Sequence, residues 1–202
     1  MVAIIDYGVG NLFSLLSSLK HIGQDAVVTA DRAVIERADR VILPGVGAFE
    51  DAARKLRESG MEEIVLAEAQ KGKPLLGICL GMQLLFDKSL EYGEHKGLGL
   101  IPGTVRPIAD VIPKGLKIPH IGWNALHIMQ PDGVLKYTAE GEHVYFVHSY
   151  YADTPKAYIT AATMYGALLT AAVRRENVFG TQFHPEKSGN VGLKMLGAFC
   201  EM

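Results

Sequence analysis

The sequence predicts an α/β fold: a three-layer single domain, built on a mixed, mostly parallel sheet with helices on both faces. Three observations carry that expectation. Through the first half, short β-branched runs alternate with stretches whose apolar residues recur at helical spacing, the pattern of a parallel sheet covered on both sides. Beyond Gly97 the pattern changes to short strand-like pieces separated by turn signals. No linker, charge run or internal repeat divides the 202 residues, so one domain over 1–202 is expected.

The elements follow in order. Val2–Asp6 reads as a strand, followed by the turn Tyr7-Gly8-Val9-Gly10. Leu12, Leu15, Leu16 and Leu19 form a helical stripe that Gly23 ends. Arg40–Leu43 is the next strand, closed by Pro44-Gly45-Val46-Gly47. Phe49, Ala52, Ala53 and Leu56 form a second helical stripe, and Met61, Ile64 and Val65 open a third after Gly60. Leu75–Cys79 reads as a buried strand, with a helix over Leu80–Phe86 immediately behind it. Strand-like pieces then surround Val105, Ile118–Ile121, Leu126–Met129, Val144–Val147, Ile159–Thr163 and Ala171–Arg174. Ile101-Pro102-Gly103 and Gln130-Pro131-Asp132-Gly133 are turns between them. Asn177–Phe183 is a last strand, and Gly192–Glu201 a closing helix with Leu193, Leu196 and Cys200 on one side.

Composition narrows the function. Hydrophobic residues at 49% and charged residues at 21% exclude a disordered chain. Lys and Arg number 20 against 22 Asp and Glu, which leaves no basic field for nucleic acid or an anionic membrane. The apolar runs fall short of the roughly 20 residues of a membrane helix, and Met1–Asp6 lacks a basic leader, so a cytoplasmic protein is expected. Two cysteines cannot make a disulfide framework and point to a reducing compartment. With 22 glycines but only 9 prolines and no low-complexity tract, the glycines serve particular backbone positions.

Gly77-Ile78-Cys79-Leu80-Gly81-Met82-Gln83 carries the chemistry. A nucleophile between two glycines, leaving a strand and entering a helix, is the pattern of a nucleophile elbow. It presents the side chain at the carboxyl edge of the sheet, and a helix N-terminus there favours a thiolate and offers N–H groups to an oxyanion. Cys200, on an apolar helical stripe, reads as core. A cysteine nucleophile needs a base, and His184 in Gln182-Phe183-His184-Pro185-Glu186 stands at a strand end with a carboxylate two residues on to fix its tautomer. His148 is the other candidate base. Scattered histidines lack metal-ligand spacing, and no cofactor is expected. Pro44-Gly45-Val46-Gly47 can aim N–H groups at an oxyanion. Asp6-Tyr7-Gly8-Val9-Gly10-Asn11 lacks the third glycine of a dinucleotide fingerprint.

Together, Gly77–Gln83 and His184-Pro185-Glu186 resemble the class I (triad) glutamine amidotransferases. Pro44-Gly45-Val46-Gly47-Ala48-Phe49, Pro119-His120-Ile121-Gly122-Trp123-Asn124, Val147-His148-Ser149-Tyr150 and Gln182–Ser188 are similar to the branch forming glutaminase subunits of imidazole glycerol phosphate synthases. The opening Asp6–Asn11 fits the same branch. The resemblance spans almost the whole chain and implies a flavodoxin-like class I amidotransferase fold.

It also implies roles. Cys79 would attack the amide of L-glutamine, with His184 as base and Glu186 orienting the ring. Backbone N–H groups of Leu80 and of the Val46–Gly47 turn would form the oxyanion hole. Gly47, Gln83, Glu91, Ser149 and Tyr150 sit where the family holds the substrate. The partner implied is a (β/α)₈-barrel cyclase subunit, joined as a heterodimer and fed with ammonia. That cyclase makes imidazole glycerol phosphate and AICAR from PRFAR in histidine biosynthesis. Asn11, His120, Trp123, Asn124, Tyr137 and Lys187 are the interface residues the resemblance suggests. A stand-alone elbow-cysteine hydrolase is the alternative, and Gln83 with the His184–Glu186 pair argues against it.

Overall fold

Strands that are apolar on both faces need cover on both faces, and the first half supplies it. The computed structural model describes residues 1–131 and 133–202; Asp132 of the expected turn at 130–133 lies outside the described residues. Strand β1 (Val2–Ile5) leads to helix α1 (Leu12–His21), β2 (Ala26–Thr29), α2 (Arg32–Arg37) and β3 (Arg40–Gly45). Helices α3 (Phe49–Glu58) and α4 (Met61–Gln70) return the chain to β4 (Leu75–Cys79), and α5 (Leu80–Leu84) leaves β4 without a loop. The second half is strand-rich: β5 (Phe86–Ser89), β6 (His95–Lys96), β7 (Ile101–Pro107), β8 (His120–Ala125), β9 (His127–Ile128), β10 (His143–His148) and β11 (Tyr150–Asp153). β12 (Ile159–Met164), β13 (Leu168–Arg175), β14 (Val178–Thr181) and α6 (Gly189–Cys200) complete it.

The main sheet has eight strands in the order β2-β1-β3-β4-β14-β13-β12-β9. The first five are parallel, and the antiparallel strands β13, β12 and β9 extend that edge. In β1, Ala3 and Ile5 pack with Phe49, Leu56 and Ile64 of α3 and α4, whereas Val2 and Ile4 pack with Leu15 and Leu19 of α1 and Leu196 and Phe199 of α6. Two cores therefore flank one sheet, the three layers the pattern predicts. Smaller sheets, β11-β7-β5-β6 and β10-β8, build up the region beside the carboxyl end of β4.

Several boundaries differ from expectation. β2 and α2 have no strong sequence signal: every β2 residue is only half-buried, and α2 is a short helix started by Asp31, whose side chain accepts from the Ala33 N–H at 2.8 Å. The helix after Cys79 ends at Leu84, because Phe86 pairs with Ile101 in the second sheet. The strand expected at Ile118–Ile121 begins at His120 and runs to Ala125, paired with β10. Leu126 is buried between β8 and β9, which shortens the expected Leu126–Met129 piece to two residues. α6 begins at Gly189, ahead of Gly192, and Leu193 is half exposed while Met195, Leu196 and Phe199 carry the buried face.

Candidate active site

Cys79 ends β4 and caps α5 with φ +56° and ψ −111°, a left-handed conformation that a non-glycine residue adopts only under constraint. Its surroundings supply the constraint. A Cβ on Gly77 would lie 2.6 Å from the Gly81 carbonyl oxygen, one on Gly81 would lie 1.9 Å from the Leu43 carbonyl oxygen, and one on Gly45 would lie 2.6 Å from the Gly81 nitrogen. Three backbones thus meet at glycine, and the elbow holds the thiol at the carboxyl edge between β3 and β14. This is the strained turn the motif predicts.

His184 follows β14, the strand beside β4. Its backbone N–H donates to the Tyr145 carbonyl at 3.0 Å, and Ser188 Oγ donates to the His184 carbonyl at 2.6 Å while accepting from the Tyr145 N–H at 3.0 Å. Pro185–Lys187 forms a single 3-10 turn that folds Glu186 back, and His184 Nδ1 donates to Glu186 Oε1 at 2.8 Å. Both side chains are 3% exposed. Burial opposes charge on the ring, yet attraction to the Cys79 sulfur and the Glu186 carboxylate outweighs it and holds the His184 pKa up to about 9. Among the described residues the buried Nε2 has no hydrogen-bond partner, which leaves it to exchange a proton with the cavity it shares with Cys79.

That cavity, about 620 Å³, is where the predicted residues converge: Val46, Gly47, Leu80, Gln83, Glu91, Ser149 and Tyr150 line it with Cys79 and His184. Glu91 is not a solvated surface acid, since its Oε2 accepts from the Phe49 N–H at 2.6 Å and caps α3. Beneath the Pro44–Gly47 turn, buried Tyr7 donates its hydroxyl to the Pro44 carbonyl at 2.7 Å, and burial together with the Cys79 charge pushes its pKa up. His148 cannot serve as the base. Its Nδ1 donates to the Tyr150 carbonyl at 2.8 Å, its Nε2 lies 3.0 Å from His120 Nδ1, and burial pushes its pKa down to about 3. Cys200 is buried on α6, where burial raises its pKa. Among the described residues no cluster of three or more His, Cys, Asp or Glu is placed to hold a metal, and no helix is long and apolar enough to cross a membrane.

The expected interface residues divide. Trp123 is 52% exposed, its ring meets Tyr145 edge-on at 6.2 Å, and Lys187 Nζ stands 5.9 Å over the same Tyr145 ring. Asn11 lies beside Glu186 and the Pro44–Val46 turn, and Asn124 donates to the Met164 carbonyl at 2.9 Å. Two expectations need correction. His120 is 2% exposed and stacks on Phe146 and Tyr165 at ring separations of 4.9 and 4.0 Å, so its side chain is interior rather than part of a docking face. Tyr137 donates to Glu201 Oε2 at 2.7 Å, beside a cavity lined by Pro74 and Asn177 at the amino ends of β4 and β14. It is at the far end of the sheet from Cys79. Tyr145 is the aromatic the sequence reading missed, although alternation within Val144–Val147 and its pairing with Trp123 put it on the same face.

A family model described as glutamine amidotransferase class-I matches residues 3–201. The chain belongs to the class I glutamine amidotransferases. Among curated amidotransferase relatives, the imidazole glycerol phosphate synthase subunit HisH of Caldanaerobacter subterraneus subsp. tengcongensis is 51% identical, over 100% of this chain and 98% of that one. Its counterpart of the same name in Methanothermobacter thermautotrophicus is 50% identical, again over 100% and 98%. Solved structures share the fold at lower identity. A crystal structure of a glutamine amidotransferase superposes with TM-score 0.77 at 21% identity, over 100% of this chain and 98% of that one. The structure of PurLQS from Thermotoga maritima gives 0.74 at 20%, over 99% and 97%.

Proposed function

We propose that this chain is the glutaminase subunit of an imidazole glycerol phosphate synthase. It hydrolyses L-glutamine and passes the ammonia to a (β/α)₈-barrel cyclase that makes imidazole glycerol phosphate and AICAR from PRFAR in histidine biosynthesis. The observation that carries the reading is the meeting of an elbow cysteine and a Glu186-anchored His184 in one cavity. Relatives near 50% identity along the full chain, all named as subunits of that synthase, give the pathway. We read residues 1–202 as one amidotransferase domain working in the cytoplasm.

The geometry supports a thioester route. The Cys79 sulfur attacks the side-chain carbonyl of glutamine after its proton passes to His184 Nε2. A pKa of about 9 keeps that proton on the ring at neutral pH. The backbone N–H of Leu80, at the start of α5, and an N–H from the Val46–Gly47 turn receive the oxyanion. Collapse breaks the C–N bond, His184 protonates the departing nitrogen, and ammonia leaves a γ-glutamyl thioester on Cys79. Water, deprotonated by His184, attacks the thioester carbonyl and releases glutamate. Gln83, Glu91, Ser149, Tyr150 and Gly47 hold the amino-acid end, with the Glu91 carboxylate suited to its ammonium.

Ammonia freed into neutral water is protonated and lost as a nucleophile, so a partner must receive it directly. The exposed Trp123, with Tyr145, Lys187 and Asn11 near the triad, is the face on which we seat the cyclase, Trp123 being its aromatic anchor. Adding the cognate cyclase to the isolated chain tests the partnership. A slow glutaminase rate that rises strongly supports it; a rate the cyclase leaves unchanged overturns it.

A further inference from the structure

Behind the cavity runs an unbroken chain of polar groups, of which the steps above use only Gln83 and Tyr150, and those for substrate rather than for the sulfur. The Tyr150 carbonyl accepts twice, from His148 Nδ1 at 2.8 Å and from Gln83 Nε2 at 3.2 Å. A carbonyl can only accept, so His148 carries its proton on Nδ1. Burial lowers its pKa to about 3, which keeps the ring neutral and leaves a lone pair on Nε2. His120 Nδ1, 3.0 Å away, therefore donates to it, and His120 is itself kept neutral by burial, its pKa lowered to about 4. On the other side, the second Gln83 amide hydrogen goes to Gln182 Oε1 at 3.0 Å. With its oxygen so engaged, the fully buried Gln182 has one orientation, and that orientation turns its Nε2 to the Cys79 sulfur at 3.8 Å. The sulfur also has an acceptor beside it, the Val147 carbonyl at 4.0 Å, and it interacts with the His184 ring.

We propose that Gln182 is a further catalytic residue, donating an N–H to the Cys79 sulfur, and that the chain His120–His148–Tyr150 carbonyl–Gln83 positions it. An acceptor such as the Val147 carbonyl serves a thiol, whereas an N–H donor serves a thiolate. Gln182 thus stabilises the sulfur when its charge is greatest, before attack and again as it departs from the thioester. The hydrogen bonds run as a consistent set, each donor with one acceptor, so reversing one amide would leave two buried acceptors facing each other. The first donor sits on β8, where His120 points inward while Ile121 and Trp123 point out. The proposal rests on Cys79 being the nucleophile.

Alkylation of Cys79 by iodoacetamide, followed against pH with the site located by mass spectrometry, tests it without requiring glutamine. The titratable groups acting at the sulfur, His184 and Tyr7, stay unchanged in every variant, and His148 remains neutral. In Gln182→Leu and the near-isosteric Gln182→Met, the alkylation midpoint should rise by about one pH unit, the size of a lost hydrogen bond to a charged group. In the complex with cyclase, kcat should fall about 10-fold with KM for glutamine little changed. His120→Leu should move the midpoint in the same sense by less. His120→Asn, whose amide can place an N–H near the lost Nδ1, should restore it. Unchanged midpoints in folded Gln182 variants overturn the proposal. If both Gln182 variants fail to fold, equal midpoints for His120→Leu and His120→Asn overturn it. A wild-type Cys79 that alkylates normally in a chain releasing no ammonia from glutamine would instead contradict the glutaminase reading.

Discussion

His184 Nδ1 reaches Glu186 Oε1 at 2.8 Å although only Pro185 separates the two residues. Pro185 opens a single 3-10 turn, and its fixed φ suits the first position of that turn. The carboxylate is thereby carried back over the imidazole within one turn, and the Ser188 hydroxyl closes the loop from behind. This local geometry leaves Nε2, and not Nδ1, as the ring nitrogen without a hydrogen-bond partner among the described residues.

The raised pKa of His184 has a consequence for stability. A histidine held at about 9 against an ordinary 6.5 binds its proton more tightly folded than unfolded. Its stabilising contribution is complete below pH 6.5 and is lost as pH rises through about 9. Urea melts of wild type and Glu186→Gln should therefore differ most on the acid side of that window and converge above it. Titration of the His184 ring by NMR should show its pKa fall in both Cys79→Ala and Glu186→Gln.

The glycines at the elbow should rank by their surroundings. Gly81→Ala would drive a methyl to 1.9 Å from the Leu43 carbonyl oxygen, which only backbone movement relieves, so a loss of about 3 kcal/mol or more is expected. Gly47→Ala meets open space and suffers only its φ of +93°, a cost of about 1–2 kcal/mol. Equilibrium denaturation of the two variants should reproduce that order.

Docking should depend on the residues that meet at Trp123. Trp123→Ala and Tyr145→Ala are expected to weaken cyclase binding by about 2 kcal/mol each, roughly 30-fold, with the fold intact. Tyr137→Phe, at the opposite end of the sheet, should leave affinity unchanged. Isothermal titration with the cyclase reads all three.

Glu91 is expected to act on substrate binding rather than on chemistry. Glu91→Gln retains a side-chain oxygen for the Phe49 N–H but removes the charge proposed to meet the substrate ammonium. KM for glutamine should rise about 10-fold with kcat changed little, the effect of one charge-assisted hydrogen bond. Steady-state glutaminase kinetics in the complex check it.

The parallel half of the fold and the meeting of Cys79 with the His184–Glu186 pair were legible because their signals are local. Leu75–Cys79 is a strand to the residue, and Gly77, Cys79 and Gly81 announce the elbow by spacing alone. What the sequence hid depends on tertiary neighbours. β2 is half-buried at the sheet edge and carries no strong pattern, and Phe86 leaves the helix because Ile101 awaits it in another sheet. His120 and Tyr137 were misplaced because a polar or aromatic residue in a motif does not reveal which way it points. His120 faces inward because the strand begins at that residue and alternates from there, and Tyr137 is drawn to Glu201 some 64 positions along the chain. The pairing of Gln182 with Gln83, 99 residues apart, has no sequence signature at all.

Cys79 is proposed as the nucleophile that frees ammonia from glutamine for a partner. The direct measurement is product formation by the cyclase complex, fed either glutamine or ammonium, for wild type and Cys79→Ala. Cys79→Ala is expected to lose all glutamine-dependent turnover and to retain the ammonium-dependent reaction. Glutamine-dependent turnover at the wild-type rate in Cys79→Ala would contradict it.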